Sequence, residues 1–240
     1  MLADTQSWGL TAVERRSTTD HVLAELRAAI VAGRIGPNEP LREAALARTL
    51  GTGRSAVREA IRQLVQEGLV EYRINRGAFV RVLSVADADD VYVAREVIEV
   101  CAVRHALEHD EPLDLDPLRA ALERIIAAAD ATPSDEPAGS ELIAADLDFH
   151  REMVRLSGSP RLSRAHETLA AEAQMLLHHQ PVYSPVEYAA DHTILLEAIE
   201  RRDPTAPDSV RDHLRLSARL IAGEIARLSE GPNRDGWETR

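Results

Sequence analysis

Asp146 and His150 stand four residues apart in a segment, 140–157, whose Ile143, Leu147, Met153 and Val154 recur at helical spacing. Both polar residues therefore fall on the face that should be buried. His192 lines up in the same way with Ala189, Leu195, Leu196 and Ile199, and His213 with Val210, Leu214 and Ile221. A buried carboxylate and three buried imidazoles are costly unless each finds a partner. One divalent ion would satisfy all four, and three imidazoles with a carboxylate on facing helices suit a first-row transition metal. An octahedral ion held by four protein ligands keeps two open positions, which water or an organic carboxylate can take. Scattered structural histidines meet the same pattern, because Asp-x3-His is common and the other two are distant in sequence. His21, His105, His109 and His166 have no such arrangement and read as surface or internally satisfied residues. His178 and His179 are neighbours, so on a helix they diverge by about 100° and share no face. Arg95 shares an inward stripe with Val91, Ile98 and Ala102. There it serves either as a clamp for a small organic acid or as half of an inter-helix salt bridge, with Glu99 or another acid.

A second set of residues points to phosphate and base-edge chemistry. In Ser55–Glu67 the apolar face is Val57, Ala60, Ile61, Leu64 and Val65, while Arg58 and Arg62 lie one turn apart on the other face, with Arg54 at the start. An arginine row on a short helix suits the major groove, where a guanidinium pairs with guanine O6 and N7 or clamps a phosphate. Arg76 lies at a hairpin tip and can reach a minor groove or the backbone. The competing view is a solvated face in which these arginines pair with Glu59 and Glu67.

The elements that must position these groups are legible. Helices are predicted over 21–32 (capped by Thr19 or Asp20, stopped by Gly33), 42–50 and 55–67, with Leu50–Gly53 as a tight turn and Gly68 at a C-terminal cap. Two short strands, 69–72 and 78–82, flank Asn75-Arg76-Gly77, where Asn75 and Gly77 can take positive φ. Six further helices follow at about 87–109, 114–131, 140–157, 160–179, 184–202 and 205–229. Asp116-Pro117, Ser159-Pro160 and a capping box at Ser184–Glu187 mark three of the starts. Residues 1–16 read as a loose arm, 17–83 as one domain, 84–230 as a second, and 231–240 as a loose tail.

Composition agrees. Of 240 residues 45% are hydrophobic but only 3% aromatic, which favours a mainly α chain rich in Leu and Ala. The net charge of −12 argues at first against nucleic acid. It is unevenly placed: residues 1–83 carry 12 arginines and 9 acids, whereas 84–240 carry 16 arginines and 31 acids, with no lysine anywhere. Cys101 is the single cysteine, so no intrachain disulfide forms and an intracellular, cytoplasmic setting is expected. Its apolar surroundings, Val97–Val103, predict that it packs as a small hydrophobe. No run reaches the roughly 20 apolar residues of a membrane span, and 1–16 lacks the pattern of a secretory signal.

Three helices and a hairpin make a winged helix-turn-helix, and its residues resemble the DNA-binding domain of GntR-family bacterial regulators. The resemblance rests on Leu41-x-Glu43-x-x-Leu46-Ala47, Leu50-Gly51, Arg54-x-x-Val57-Arg58-Glu59-Ala60-Ile61-x-x-Leu64, Glu67-Gly68-Leu69-Val70 and Asn75-Arg76-Gly77-Ala78-Phe79-Val80. It implies that Arg54, Arg58, Arg76 and Gly77 contact operator DNA; Arg62 of the same arginine row and Ser55 complete the expected DNA-binding set. Gly53 stands where the family usually has Ser or Thr, with Ser55 as the substitute; Ala44 replaces an arginine of some members, and Asn38 a common turn glycine. Residues 87–229 are similar to the all-helical FCD effector domain of the FadR subfamily, through Asp146-x-x-Phe149-His150-Arg151, Asp191-His192-x-x-Leu195-x-x-Ala198-Ile199 and Asp212-His213-Leu214. In its metal-binding members the four positions matching Asp146, His150, His192 and His213 carry the ion. The resemblance therefore implies Zn²⁺, or Ni²⁺, Mn²⁺ or Fe²⁺, with Arg95 toward a small carboxylate effector.

The expected function is a homodimeric transcription regulator, a repressor released by its effector. Two other functions compete with it. One is a metal-dependent hydrolase fused to a DNA-binding domain, although Asp148 and Glu152 leave the Asp146/His150 face and no HExxH or nucleophile elbow occurs. The other is a constitutive DNA-binding dimer with a structural metal.

Overall fold

The structure, a computed structural model, describes residues 18–109, 111–132, 139–178 and 185–229. The expected arm, the expected tail, Ser184 of the proposed capping box and His179 lie outside the described residues. The N-terminal unit is built from α1 (Thr18–Val31), α2 (Glu43–Thr49), α3 (Arg54–Gln66), β1 (Val70–Arg73) and β2 (Gly77–Val80). α1 starts ahead of its predicted caps and ends at Gly33, whose φ of 69° supplies the left-handed turn. In α3 four of the five predicted stripe residues, Val57, Ala60, Ile61 and Leu64, are buried and pack with Val22, Leu26 and Ile30 of α1, while Val65 is half-buried at the edge of that core. The helix starts at Gly53 with no side-chain cap, so Ser55 does not replace the missing hydroxyl in capping.

β1 and β2 pair antiparallel with Val70 opposite Val80 and Tyr72 opposite Ala78. Asn75 (φ 59°) and Gly77 (φ 91°) take the positive angles that the turn between them needs. On the free edge of β2, Pro40 pairs with Phe79, and Leu41 N donates to the Ala78 carbonyl at 2.8 Å. The N-terminal unit is thus three helices and a short wing.

The C-terminal unit is α4 (Val85–Glu108), α5 (Asp116–Ala131), α6 (Ser140–Arg155), α7 (Pro160–Leu177), α8 (Pro185–Glu200) and α9 (Ala206–Ser229). α4 packs against α6, α7 and α9, while α5 packs on α6 and α8. Its start is fixed by an unforeseen capping box: Ser84 Oγ accepts from Asp87 N at 3.2 Å, and Ser84 N donates to Asp87 Oδ2 at 2.8 Å. Ser159 caps α7 by accepting from Leu162 N, whereas α5 gains its proline at the first turn without a side-chain cap.

Cys101 departs from expectation: it is exposed. A helical period splits the apolar run Val97–Val103 across two faces. Val100, Ala102 and Val103 turn into the core, and Val97 (66% exposed) and Cys101 turn out, in line with Val93 (60%).

The two units meet along α7. Ala171 and Met175 pack against the N-terminal core, and Met175 also packs against the C-terminal one. Beside them Arg81 joins three elements: Nη1 donates to Glu172 Oε1 at 2.6 Å and to the Gly68 carbonyl at 3.4 Å, and Nη2 donates to Asp87.

Candidate metal centre and DNA-reading face

α6 places Asp146 and His150 one turn apart on its buried face, α8 brings His192 and α9 brings His213. One ligand atom from each of the four lies within 4.8 Å of the others. Ligand atoms around one ion with bonds of about 2.1 Å are separated by roughly 3–4 Å, so the spread is close to that of a filled site. Asp146, His150 and His192 are buried and His213 is partly so. The three imidazoles converge, with ring centres 4.8 to 5.5 Å apart.

Hydrogen bonds around the cluster set its tautomers. The Tyr188 carbonyl can only accept, so His192 carries a proton on Nδ1 (2.8 Å) and turns Nε2 toward Asp146 Oδ1, 3.0 Å away. A lone pair facing a carboxylate at that distance requires a cation or a further proton between them. His150 likewise directs Nδ1 at Glu99 Oε2 (2.6 Å) and leaves Nε2 for the cluster, 3.7 Å from Asp146 Oδ1. Asp146 Oδ2 is buried without a hydrogen-bond partner. A divalent ion would supply what this donor set lacks, so the residues fit a metal.

Charge is balanced inside the site. Burial opposes ionisation of Glu99, yet Arg95 and His150 beside it hold its carboxyl well below the usual range. Burial likewise opposes the charge on Asp146, and His150 and His192 bring its carboxyl down. Burial lowers His150, and it lowers His213 further with the help of the two neighbouring imidazoles. Neutral imidazoles are the form that binds metals.

Arg95 is 2% exposed and donates Nε to Glu99 Oε1 at 2.8 Å. The salt bridge weighed from the sequence exists, but inside one helix. It leaves Nη2 buried with no hydrogen-bond partner, and the Tyr92 hydroxyl is in the same state. Two residues outside the expected set complete the surroundings. Glu99 sits behind His150, and His166, which is buried, donates Nε2 to Glu99 Oε1 at 3.1 Å. Asp148 and Glu152 do turn away: Asp148 pairs with Arg124 and Arg151, and Glu152 with Arg155. Beside the cluster, a chamber of about 10 Å³ is lined by Tyr188, His192, His213 and Ser217. The roomier clefts of the described residues lie elsewhere, including one of about 560 Å³ beside His105 and His109 that touches none of the four clustered residues.

On the N-terminal unit Arg54, Ser55, Arg58, Arg62, Arg76 and Gly77 are all exposed. Arg58 is held by Glu43 through a two-pronged pair, Nη2 to Oε2 at 2.7 Å and Nε to Oε1 at 3.0 Å. Arg62 pairs with Glu59 at 3.0 Å; Glu67, the other acid weighed for this face, pairs with Arg27 instead. The hydrogen bond from Arg58 keeps the Glu43 carboxyl below its ordinary value, and the charges of Arg54 and Arg62 add to it. In the wing, Arg73 and Arg76 flank the Phe79 ring at 4.5 and 5.4 Å.

A winged helix-turn-helix with an exposed arginine row, joined to a helical bundle around a polar cluster, is the architecture of a ligand-controlled DNA-binding regulator. Residues 18–80 match the bacterial regulatory proteins of the gntR family, and residues 90–216 match the FCD domain. The chain belongs to the GntR family, in the branch that carries an FCD domain. It is 30% identical over 211 residues to the "Probable D-xylose utilization operon transcriptional repressor" of Paenarthrobacter nicotinovorans, covering 85% of this chain and 90% of that one. It is 28% identical to the transcriptional repressor NanR of Escherichia coli, over 83% and 82% of the two chains. A solved transcriptional regulator GntR from Rhodococcus sp. RHA1 superposes with a TM-score of 0.74 at 25% identity, over 85% of this chain and 97% of that one. The chain is a transcription regulator and not an enzyme; these relatives lend no support to the hydrolase alternative.

Proposed function

We propose that the chain is a repressor that binds operator DNA as a homodimer and is controlled by a small organic acid at a metal centre. Asp146, His150, His192 and His213 hold the ion, with Zn²⁺ first and Ni²⁺, Mn²⁺ or Fe²⁺ as alternatives. Bound there, the ion supplies positive charge and open coordination positions. Arg95 presents its unpartnered Nη2 as a charged donor for the carboxylate of the effector. Arg54, Ser55, Arg58 and Arg62 meet the major groove, and Arg76 with Gly77 meets the flanking backbone or minor groove. No helix of the described residues is long and apolar enough to cross a membrane, and the cytoplasm is the proposed setting. The outward stripe Val93, Val97 and Cys101 on α4 supports a second copy as partner.

The observation that carries the reading is the convergence of four largely buried donor side chains with Asp146 Oδ2 and Arg95 Nη2 unpartnered. It is tested by screening organic acids for a rise in Tm on Zn²⁺-loaded protein and then measuring operator affinity with each hit. The expected hit needs both the ion and Arg95 and weakens operator binding. Protein that binds no metal, or hits that leave DNA affinity untouched, would overturn it.

A further inference from the structure

We propose that α7 is the element that transmits occupancy of the metal cluster to the reading head, with Glu99–His166 as its inner coupling and Glu172–Arg81 as its outer one. The proposal rests on the reading of Asp146, His150, His192 and His213 as a metal centre.

Glu99 is the inner junction. Its two oxygens serve three donors: His150 Nδ1 at 2.6 Å, Arg95 Nε at 2.8 Å and His166 Nε2 at 3.1 Å. It is 0% exposed, so no water is at hand to replace a lost bond. An ion that draws His150 Nε2 toward it moves the imidazole whose Nδ1 Glu99 holds, and another bond of Glu99 ends on α7.

Six residues further along, about 9 Å up the axis at 1.5 Å per residue, α7 carries Glu172. That carboxylate accepts from Arg81 at 2.6 Å. It also presses on Gly68, where an added Cβ would lie 2.4 Å from Oε1. Gly68, at φ 74°, closes the C-terminus of α3, the helix with the arginine row. Ala171 and Met175 of α7 fill the adjoining side of the head's core. Close-packed contacts at both ends leave little slack for a displacement to die out. α7 thus contacts Glu99, the residue behind His150, at one point and the end of the recognition helix at another. α4 offers a competing route, because it carries Arg95, Glu99 and also Asp87, the other acidic partner of Arg81.

The test uses the full-length chain and an operator duplex that the protein itself selects from random DNA. Operator Kd is measured by fluorescence anisotropy on metal-stripped and Zn²⁺-loaded protein, with Zn²⁺ uptake followed by Tm. In the wild type the two Kd values should differ by at least about fivefold, the lower end of ordinary coupling between sites. In Glu172→Gln the ratio should fall within about twofold of unity while Zn²⁺ still raises Tm. His166→Leu should do the same from the inner end. Arg119→Ala, which breaks a surface pair between α5 and α8, should keep the wild-type ratio. A ratio that survives in Glu172→Gln, or that Asp87→Asn alone removes, assigns transmission elsewhere and overturns the proposal. Wild type that takes up Zn²⁺ without any change in Kd overturns the proposal and leaves the metal centre standing. Wild type that takes up no Zn²⁺ removes both.

Discussion

At the scale of single residues, Glu99 matters most although it was not among the expected site residues. It balances Arg95 and steers His150, all inside the core. Glu99→Gln leaves the Arg95 charge uncompensated. It should cost about 3–5 kcal/mol of unfolding free energy in urea melts and weaken Zn²⁺ binding about 10–100-fold in a chelator competition, without touching the ion. The four proposed ligands were legible because each interrupts an apolar stripe, and the family resemblance chose between metal and scattered histidines. Glu99 was legible only as a salt-bridge partner for Arg95, because its histidine partner is 51 residues away. The cluster also carries a pH signature. Burial holds His150 and His213 below the ordinary imidazole value of about 6.5. As pH falls through that value the unfolded chain takes up protons that the folded one does not, so stability drops. The depressed acids Glu99 and Asp146 titrate below this window. Metal-free protein should lose Tm between about pH 7.5 and 5.5, less steeply in His213→Asn, as calorimetry at several pH values would register.

At the scale of elements, α3 and α2 act as a pair. Arg58, on the exposed face of α3, is tied to Glu43 at the start of α2. A phosphate that takes the Nε–Nη2 edge of Arg58 must part that pair, and one at Nη1 meets the nearby Glu43 carboxylate, which disfavours indiscriminate contact. Arg58→Ala should keep its melting curve and lose operator binding by about 1–3 kcal/mol. Glu43→Gln should tighten binding to random duplex and narrow its gap from operator, as parallel anisotropy titrations would measure. Most elements could be read from periodicity and punctuation: α3 from its stripe, the wing from Asn75 and Gly77, the end of α1 from Gly33. α4 was placed to within two residues, but its faces were harder to read, for a physical reason. It packs against three helices, so apolar residues occur around most of its circumference and the period blurs. That hid both the Ser84–Asp87 box and the outward turn of Cys101. The contact of α7 with the head was equally illegible, since Glu172 and Arg81 are 91 residues apart.

At the scale of the whole molecule, charge and shape divide the work. The head concentrates 12 arginines against 9 acids, and the rest holds 31 acids against 16 arginines. DNA is thus attracted at the head and repelled by the body. The proposed homodimer, with two heads on one operator, needs a partner surface, and the α4 stripe is the proposed one. Val97→Asp should shift sedimentation toward the monomer and weaken operator binding while leaving Zn²⁺ uptake intact. The chamber beside the imidazoles, at about 10 Å³, has room for one water molecule. We propose that anything larger reaches them when α8 and α9 part. Exchange at the cluster is therefore a question of timing: the rate at which two helices breathe sets how quickly the regulator notices a solute and how long it remembers one, however tightly that solute is held.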